Sequence, residues 1–104
     1  MKFNTYCEPD RWLLVEHGDI HKVFATWTGG YLDGDSWRLN SGIESVEVDG
    51  DYLLFRGFSG SIYKCHKDGY GTTGYGSMML AELIEQVGLK PLKEYEEYME
   101  ALKS

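Results

Sequence analysis

The apolar positions of the chain first follow a strand-like pattern of short runs that end at turn residues. In the stretch VEVDGDYLLFRGFSGSIYKCH, residues 46–66, three apolar runs are separated by Asp49-Gly50 and Ser59-Gly60. Both dipeptides are typical of tight hairpin turns, because glycine supplies the positive φ that such turns need. The stretch therefore predicts three antiparallel strands joined by two hairpin turns.

Shorter apolar runs precede this stretch. The run at 12–15 opens a strand or a helical turn, because a run this short does not distinguish a strand from a buried helix. We expect a hairpin that pairs residues 12–16 with 21–28 through a reversal at His17-Gly18-Asp19. A short strand at 37–39, a turn at 40–42 and a strand at 43–48 follow. Together these elements predict an antiparallel meander sheet of about five strands.

Beyond residue 66 the apolar positions take a helical period. Ser77 is a suitable N-cap for a first helix, and Gly88 is a suitable left-handed residue at its end. Pro91 suits the first turn of a second helix, where the N–H that proline lacks is not needed. The apolar faces are Leu80, Leu83, Ile84 and Val87 in the first helix and Leu92, Tyr95, Met99 and Leu102 in the second.

The order of these elements indicates the fold class. Strands come first and helices last, which predicts an α+β fold with two C-terminal helices packed on one face of the sheet. We expect a single domain over residues 1–104, mostly β over 1–66 and with both helices over 77–103. Either face of the sheet could receive the helices.

The charge of the chain limits the class of partner. The net charge of −7 disfavours direct binding to nucleic-acid phosphates and favours a protein partner with a basic surface. No apolar run approaches the roughly 18 residues of a membrane span, and no secretory signal is visible. The two cysteines imply no disulfide framework. We therefore expect a cytoplasmic protein, monomeric or homodimeric, that does not bind membranes.

Two glycine-containing motifs resemble catalytic or nucleotide-binding signatures. Residues 69–74 satisfy G-x-G-x-x-G, but a dinucleotide site needs a parallel strand after the helix, and a second helix is predicted here. A flexible crossover is expected, while a loop that grips an anion or a partner carboxylate stays open. Residues 57–61 resemble a nucleophile elbow with Ser61 in place of the last glycine, so we expect Ser59 in a hairpin turn.

Cysteine and histidine side chains supply atoms that could bind zinc, but their spacing argues against a site. Only His17 and His21 have a spacing typical of zinc ligands, and they would lie on opposite arms of the predicted hairpin. A catalytic Cys-His pair that uses Cys65 lacks a third residue that would orient it. We therefore expect no metal, no cofactor and no enzymatic activity.

The carboxylates can be interpreted in two ways. Glu94, Glu96, Glu97 and Glu100 cover the outer side of the predicted last helix, which is typical of a solvated surface. Alternatively, they act together with other acidic residues as a field that imitates nucleic-acid phosphates and docks on a basic groove. These other residues are Asp33, Asp35, Glu44, Glu47, Asp49 and Asp51.

Aromatic residues lie in or beside the glycine-rich loops, where a core has no obvious need of them. Tyr and Trp are enriched at binding hot spots, although they also anchor loops on sheets. We expect two or three of the following five residues to be exposed: Trp27, Tyr31, Trp37, Tyr70 and Tyr75. The residues predicted to contact a partner are Tyr31, Asp33, Asp35, Trp37, Tyr70, Tyr75, Glu94, Glu96, Glu97 and Glu100.

Three segments of the chain carry a resemblance to a known class of proteins. They are WTGGY at 27–31, GDSWRLNSGI at 34–43 and SGSIYKC at 59–65. In these segments the chain resembles small, uncharacterised proteins encoded by bacteriophages. The resemblance implies a compact acidic protein that binds and disables a bacterial enzyme, of the host-inhibitor or anti-defence kind that includes anti-CRISPR proteins. It implies no catalytic residue.

Two functions follow from these observations. The favoured one is a non-enzymatic binding protein that inhibits a bacterial nucleic-acid-handling or defence protein through acidic and aromatic loops. The alternative is a small-ligand binding protein that holds a nucleotide or a signalling molecule in the glycine-rich loop 69–77. In that case Tyr70 and Tyr75 would stack on the ligand.

Overall fold

The computed structural model describes residues 6–27 and 36–103 of the chain. The strands over these residues are β1 (Tyr6–Cys7), β2 (Arg11–His17), β3 (Ile20–Trp27), β4 (Ser36–Leu39), β5 (Ile43–Asp49), β6 (Tyr52–Gly57), β7 (Ile62–His66) and β8 (Lys90–Pro91). The helices are α1 (Gly74–Val87) and α2 (Glu96–Lys103), and a 3-10 turn at Lys67–Gly69 links β7 to the loop before α1. The predicted hairpin at 12–28 and the predicted strands at 37–39 and 43–48 are confirmed.

The strands form two sheets, so the prediction of a single five-stranded meander is wrong. The first sheet has the order β1-β7-β6-β5 and the second has the order β4-β3-β2-β8. Neighbouring strands are antiparallel except β1 and β7, which are parallel. The chain makes two consecutive meanders, β2–β4 and β5–β7, and each receives a two-residue strand at one edge. The coarser prediction of an α+β protein with antiparallel strands and two helices is confirmed.

The chain changes sheet at Asn40. The Asn40 N–H donates to the Val23 carbonyl at 3.1 Å, and the Val23 N–H donates to Asn40 Oδ1 at 2.9 Å. The asparagine side chain therefore completes the hydrogen bonds of β3 where β4 ends. Gly42 follows with a φ of 144°, and a Cβ there would lie 2.5 Å from the ring of Phe58. Glycine thus lets the chain leave the second sheet and begin β5 in the first.

The second sheet is buried on both faces, which explains why the run at 12–15 shows no alternation. Trp12 and Leu14 belong to a core shared with the first sheet, whereas Leu13 and Val15 belong to a core shared with Leu80 of α1. Successive side chains of a strand point to opposite faces, so an unbroken apolar run is typical of a strand covered on both sides. The layers are the first sheet, the second sheet and α1.

The two helices do not cover one sheet face, contrary to the prediction. α1 covers the outer face of the second sheet through Leu80 and the half-buried Leu83. α2 instead packs on the core between the sheets, where Tyr98 is 7 % exposed. The rings of Tyr98 and Phe55 lie 6.2 Å apart between centroids.

The first helix begins earlier than predicted and ends as predicted. Its N-cap is Thr73 and not the predicted Ser77. The Thr73 hydroxyl accepts a hydrogen bond from the Gly76 N–H at 3.0 Å. Gly88 ends the helix in the left-handed conformation with a φ of 78°. The predicted apolar face is covered only in part, because Ile84 and Val87 are 39 % and 47 % exposed.

Pro91 lies in a strand and not in the first turn of a helix. Pro91 belongs to β8 and pairs with Val15 of β2. The Leu92 N–H donates to the Leu14 carbonyl at 2.8 Å. Proline is tolerated there because β8 is the edge strand of its sheet. These contacts join positions far apart in the sequence, so the local pattern around Pro91 does not predict them.

The second helix therefore starts at Glu96, and its buried face differs from the predicted one. Tyr98 is its most buried residue, although it was not part of the predicted stripe. Three members of that stripe are half-buried against the core, namely Leu92, Tyr95 and Met99. Leu102 is 54 % exposed.

Each hairpin turn contains a glycine, and one turn lies one residue away from its predicted position. Asp49 pairs with Tyr52, so the turn residues are Gly50 and Asp51, and the predicted Asp49-Gly50 turn is displaced by one residue. Gly50 has a φ of 61°, and only glycines have positive φ in the described chain. Glycine in the first central position is typical of a type II′ turn. The turns predicted at Gly18 and Gly60 are confirmed, with φ values of 65° and 95°.

The close approach of α1 to the second sheet depends on Gly76. A Cβ at this position would overlap Cγ2 of the buried Thr26. We expect Gly76→Ala to lower the free energy of unfolding by about 1–3 kcal/mol, because overpacking displaces neighbouring groups. In a double variant, Thr26→Ser removes the obstructing methyl group and should restore part of the loss.

Gly74→Ala is the matched control, since no atom would lie within 4 Å of a Cβ at Gly74. We expect no significant loss of stability from this substitution. It could raise the free energy of unfolding by about 0.4–1 kcal/mol, because alanine restricts the unfolded chain. Urea denaturation of the four proteins measures these differences. Equal losses at the two glycines would contradict the packing described for α1.

Candidate functional site

Three aromatic rings meet where β2, the glycine-rich loop and the segment before α2 come together. Trp12 is fully buried, and its ring lies 4.9 Å from that of Tyr70 and 5.6 Å from that of Tyr95 between centroids. The Trp12 Nε1–H donates to the His66 carbonyl at 2.7 Å. Trp12 thus connects β2 with the end of β7 and supports two tyrosines that lie closer to the surface.

The Tyr70 hydroxyl joins two separate segments. It accepts a hydrogen bond from the Leu14 N–H at 3.1 Å and donates one to the Leu92 carbonyl at 2.7 Å. The pKa of Tyr70 is raised to about 12, chiefly by burial; the hydrogen bond from the Leu14 N–H opposes this shift, and the charges of Glu97 and Glu96 add to it. Tyr70 was predicted to contact a partner, but its hydroxyl is engaged inside the fold.

Four exposed carboxylates act on this aromatic cluster or lie next to it in the sequence, and we call them the acidic surface: Asp68, Glu94, Glu96 and Glu97. Burial raises the pKa of Tyr95, and the negative charges of Glu96 and Asp68 raise it further. The charge of Glu96 acts on both tyrosines, whereas that of Glu97 acts on Tyr70. Glu100 is exposed on the next turn of α2.

The segment that carries three of these carboxylates is held in place from two sides. The Glu94 N–H donates to the Glu97 carboxylate at 2.9 Å, which caps the start of α2. On the inner side, the rings of Tyr98 and His21 lie 4.9 Å apart between centroids. The Glu16 carboxylate lies 3.4 Å from His21 Nε2. The acidic surface is therefore displayed on a fixed backbone.

The other residues predicted to contact a partner lie elsewhere or outside the described residues. Trp37 is half-buried on the α1 side of the second sheet, where it stacks on Phe24 at 5.6 Å between ring centroids. Tyr75 lies in α1, but its side chain is outside the description. Tyr31, Asp33 and Asp35 also lie outside the described residues.

The structure thus brings Glu96 and Glu97 close to Tyr70, with Glu94 on the same segment, and Trp37 lies on the α1 side of the second sheet. Asp68 was not among the residues predicted to contact a partner, and Tyr95 was predicted only as part of an apolar helix face. Two or three of five aromatic residues were expected to be exposed. The side chains of three of the five are described, and all three are half-buried: Trp27, Trp37 and Tyr70.

The glycine-rich loop does not form a dinucleotide-binding unit. The element after α1 is β8, which pairs antiparallel with β2, whereas the fingerprint needs a parallel strand. The Thr73 hydroxyl caps the Gly76 N–H, and the hydroxyls of Thr72 and Ser77 contact each other. The Gly71 N–H donates to the Trp12 carbonyl at 2.7 Å, so the loop is also fixed to β2.

The candidate catalytic and metal-binding residues are not assembled into a site. Cys65 is fully buried in the core between the sheets, whereas His66 is the next residue of the same strand and points to the opposite face. Ser59 lies in the β6–β7 turn, as predicted, with its N–H donating to Ser41 Oγ at 3.3 Å. Within the described residues, no three His, Cys, Asp or Glu side chains are grouped as metal ligands.

A shallow depression of about 220 Å³ lies on the outer face of the first sheet. Its volume is below the roughly 300–1,000 Å³ of usual small-molecule sites. Two of its residues, Ser45 and Glu47, belong to β5, and Arg56 of β6 contributes a cation. The lining is completed by Leu54 and Ile62.

Burial of two ionisable groups, Cys65 and Tyr70, predicts a loss of stability at high pH. Cys65 and Tyr70 have raised pKa values, mainly because burial disfavours their charged forms. In the unfolded chain they ionise near pH 8.5 and 10. The stabilisation from their neutral forms is thus complete below these values and is lost as the pH rises further.

For Tyr70 the loss should run from about pH 10 to about pH 12, at up to about 1.4 kcal/mol per pH unit. We therefore expect the free energy of unfolding to fall less steeply between pH 9.5 and 11 in Tyr70→Phe than in the wild type. Urea denaturation across this range gives both slopes. Parallel slopes would contradict the raised pKa of Tyr70.

No helix within the described residues is long and apolar enough to cross a bilayer. Comparison of the chain with protein-family models, curated proteins and solved structures gives no match.

Proposed function

We propose that this protein is a non-enzymatic inhibitor that acts in the bacterial cytoplasm. It binds a basic groove of a bacterial protein that handles nucleic acid or serves in defence, as a phage-encoded protein of the anti-CRISPR-like kind would do. The acidic surface is the part of the molecule that makes this contact. Binding there keeps nucleic acid out of the groove.

The observation that supports this proposal best is the fixed position of the acidic surface. Glu94, Glu96 and Glu97 are exposed on one short segment, and the opposite side of that segment is packed in the core through Tyr98. A surface that is already ordered loses less conformational entropy on binding than a flexible acidic loop. Carboxylates on a fixed backbone can therefore match the spacing of Lys and Arg side chains in a preformed groove.

The chemistry of the acidic surface fits arginine and lysine side chains. The half-buried Tyr95 lies among the carboxylates, with its ring 5.8 Å from that of Tyr70. A guanidinium group can contact a tyrosine ring and a carboxylate at the same time, and such desolvated contacts contribute strongly to binding. The net charge of −7 also attracts a basic partner over a longer distance.

Capture from a bacterial lysate tests the proposal. The wild-type protein and Glu96→Lys/Glu97→Lys serve as baits, and Glu82→Lys/Glu85→Lys is the matched control. Glu82 and Glu85 are exposed on α1, so both double variants change the net charge from −7 to −3, since each substitution adds two charges.

We expect the wild type and the α1 control to capture the same basic nucleic-acid-binding protein, and Glu96→Lys/Glu97→Lys to lose it. Duplex DNA should release the captured protein, and the wild type should inhibit that protein's activity on DNA or RNA. Equal capture by all three baits would show that the acidic surface is not the site of contact. Capture without inhibition would refute the inhibitory function.

A further inference from the structure

We infer that the outer edge of β5 is a second docking surface, which binds an extended basic segment of a protein partner as an added strand. Such a contact uses main-chain hydrogen bonds for affinity and alternate side chains for specificity. It is carried by the backbone of β5 and not by the acidic surface, so it goes beyond the proposed function and can be tested separately.

β5 lies at the end of the first sheet, in the order β1-β7-β6-β5. Over residues 6–27 and 36–103, no strand pairs with its outer side. Its register with β6 shifts between Ile43 and Ser45, so the regular part of the edge covers 45–49. The exposed side chains in β5 are Glu44, Ser45, Glu47, Val48 and Asp49.

The register shows which backbone groups of β5 do not bond to β6. The β5–β6 turn has two residues, so the pair that closes it, Asp49 and Tyr52, exchanges both backbone hydrogen bonds. Hydrogen-bonded pairs alternate with non-bonded ones, so Glu47 also bonds to β6, while the N–H and C=O groups of Val46 and Val48 point away from it. These outward groups are the ones that an added strand would use.

The side chains along this edge define the segment that fits. Glu47 and Asp49 lie on the outer face of the sheet, and Val48, which is 56 % exposed, lies on the other face at the margin of the core. An added strand therefore meets carboxylates on one face and an apolar side chain on the other. A segment that alternates Lys or Arg with a β-branched residue complements both faces.

A second copy of this chain is a poor occupant of the same edge. Pairing two β5 strands would bring Glu44, Glu47 and Asp49 of both copies into one sheet. Like charges that face each other across strands destabilise pairing. Charges on an edge strand also prevent self-association of sheets, and they do so without excluding a strand of opposite charge.

The test uses a capped heptapeptide, Lys-Val-Lys-Val-Lys-Val-Lys, titrated into ¹⁵N-labelled full-length protein at 150 mM salt. We expect the amide signals of Val46 and Val48 to move most and their hydrogen exchange to slow. A peptide of the same sequence in which every second residue is N-methylated keeps the charge but lacks about half of the backbone N–H donors. It should bind at least tenfold more weakly.

Val48→Pro removes one outward N–H and leaves the hydrogen bonds between β5 and β6 in place, as is tolerated in edge strands. It should weaken peptide binding at least fivefold. If it fails to fold, Glu47→Lys/Asp49→Lys, on two exposed positions, should weaken binding at least tenfold. Glu96→Lys/Glu97→Lys should bind the peptide within about twofold of the wild type, which separates this surface from the acidic surface.

Equal binding of the N-methylated peptide would overturn the inference, because the contact would then depend on charge alone. The inference is also wrong if the peptide leaves the amides of Val46 and Val48 unaffected, or if the protein dimerises through β5 instead.

Discussion

Replacing Trp12 with alanine should lower the free energy of unfolding by about 3–5 kcal/mol. Trp12 is fully buried, and its ring contacts Phe55 as well as the two tyrosines beneath the acidic surface. The substitution also leaves the His66 carbonyl without its indole donor. Because small domains have a total stability of about 5–15 kcal/mol, this single change would remove a large part of it.

Trp37→Ala is the matched control for this substitution. Trp37 is half-buried and stacks on Phe24 at 5.6 Å between centroids, so less apolar surface is lost with it. We expect it to cost about 1–2 kcal/mol, since partial burial removes a part of the full transfer energy. Urea denaturation followed by circular dichroism measures both. A smaller loss at Trp12 than at Trp37 would contradict the central position assigned to Trp12.

Reversing the charge of Glu96 and Glu97 should weaken binding to the captured bacterial protein by about 100-fold. Each attractive contact with a basic side chain becomes repulsive, and 100-fold corresponds to about 2.7 kcal/mol in total. The change should appear in the association rate as well as in the affinity, because opposite charges guide the encounter. Surface plasmon resonance with the purified partner gives both quantities.

A structural effect of the same substitutions needs its own control, since the Glu97 carboxylate caps the Glu94 N–H. Glu97→Gln keeps an acceptor oxygen for this cap and removes only the charge. It should weaken binding by about tenfold, which corresponds to about 1.4 kcal/mol, with little change in stability. If Glu97→Gln binds as tightly as the wild type while the double variant is partly unfolded, the lost affinity has a structural cause.

The sequence predicts the local features of the fold well and the long-range ones poorly. Hairpins are set by residues that are neighbours along the chain, such as Gly18 and Gly60, so they can be predicted. The division into two sheets depends on Asn40 bonding to Val23, and β8 depends on Leu92 bonding to Leu14. No periodicity of apolar residues carries this information.

The residues of the candidate site also fall into two groups, those that the local sequence predicts and those that only the fold brings together. Glu94, Glu96 and Glu97 could be predicted from helical polarity, because they alternate with the apolar positions of one segment. Asp68 comes from the 3-10 turn and is brought to them only by the fold. Tyr70 could be identified as important, but not as a residue whose hydroxyl joins Leu14 to Leu92.

The most direct measurement is the dissociation constant of the wild-type protein and its captured partner at 50 mM and at 200 mM salt. If exposed carboxylates hold a basic groove, we expect the dissociation constant to rise at least tenfold over this range, since salt screens exposed charges. Glu96→Lys/Glu97→Lys should show a clearly weaker dependence. A dissociation constant that does not change with salt would contradict an electrostatic contact through the acidic surface.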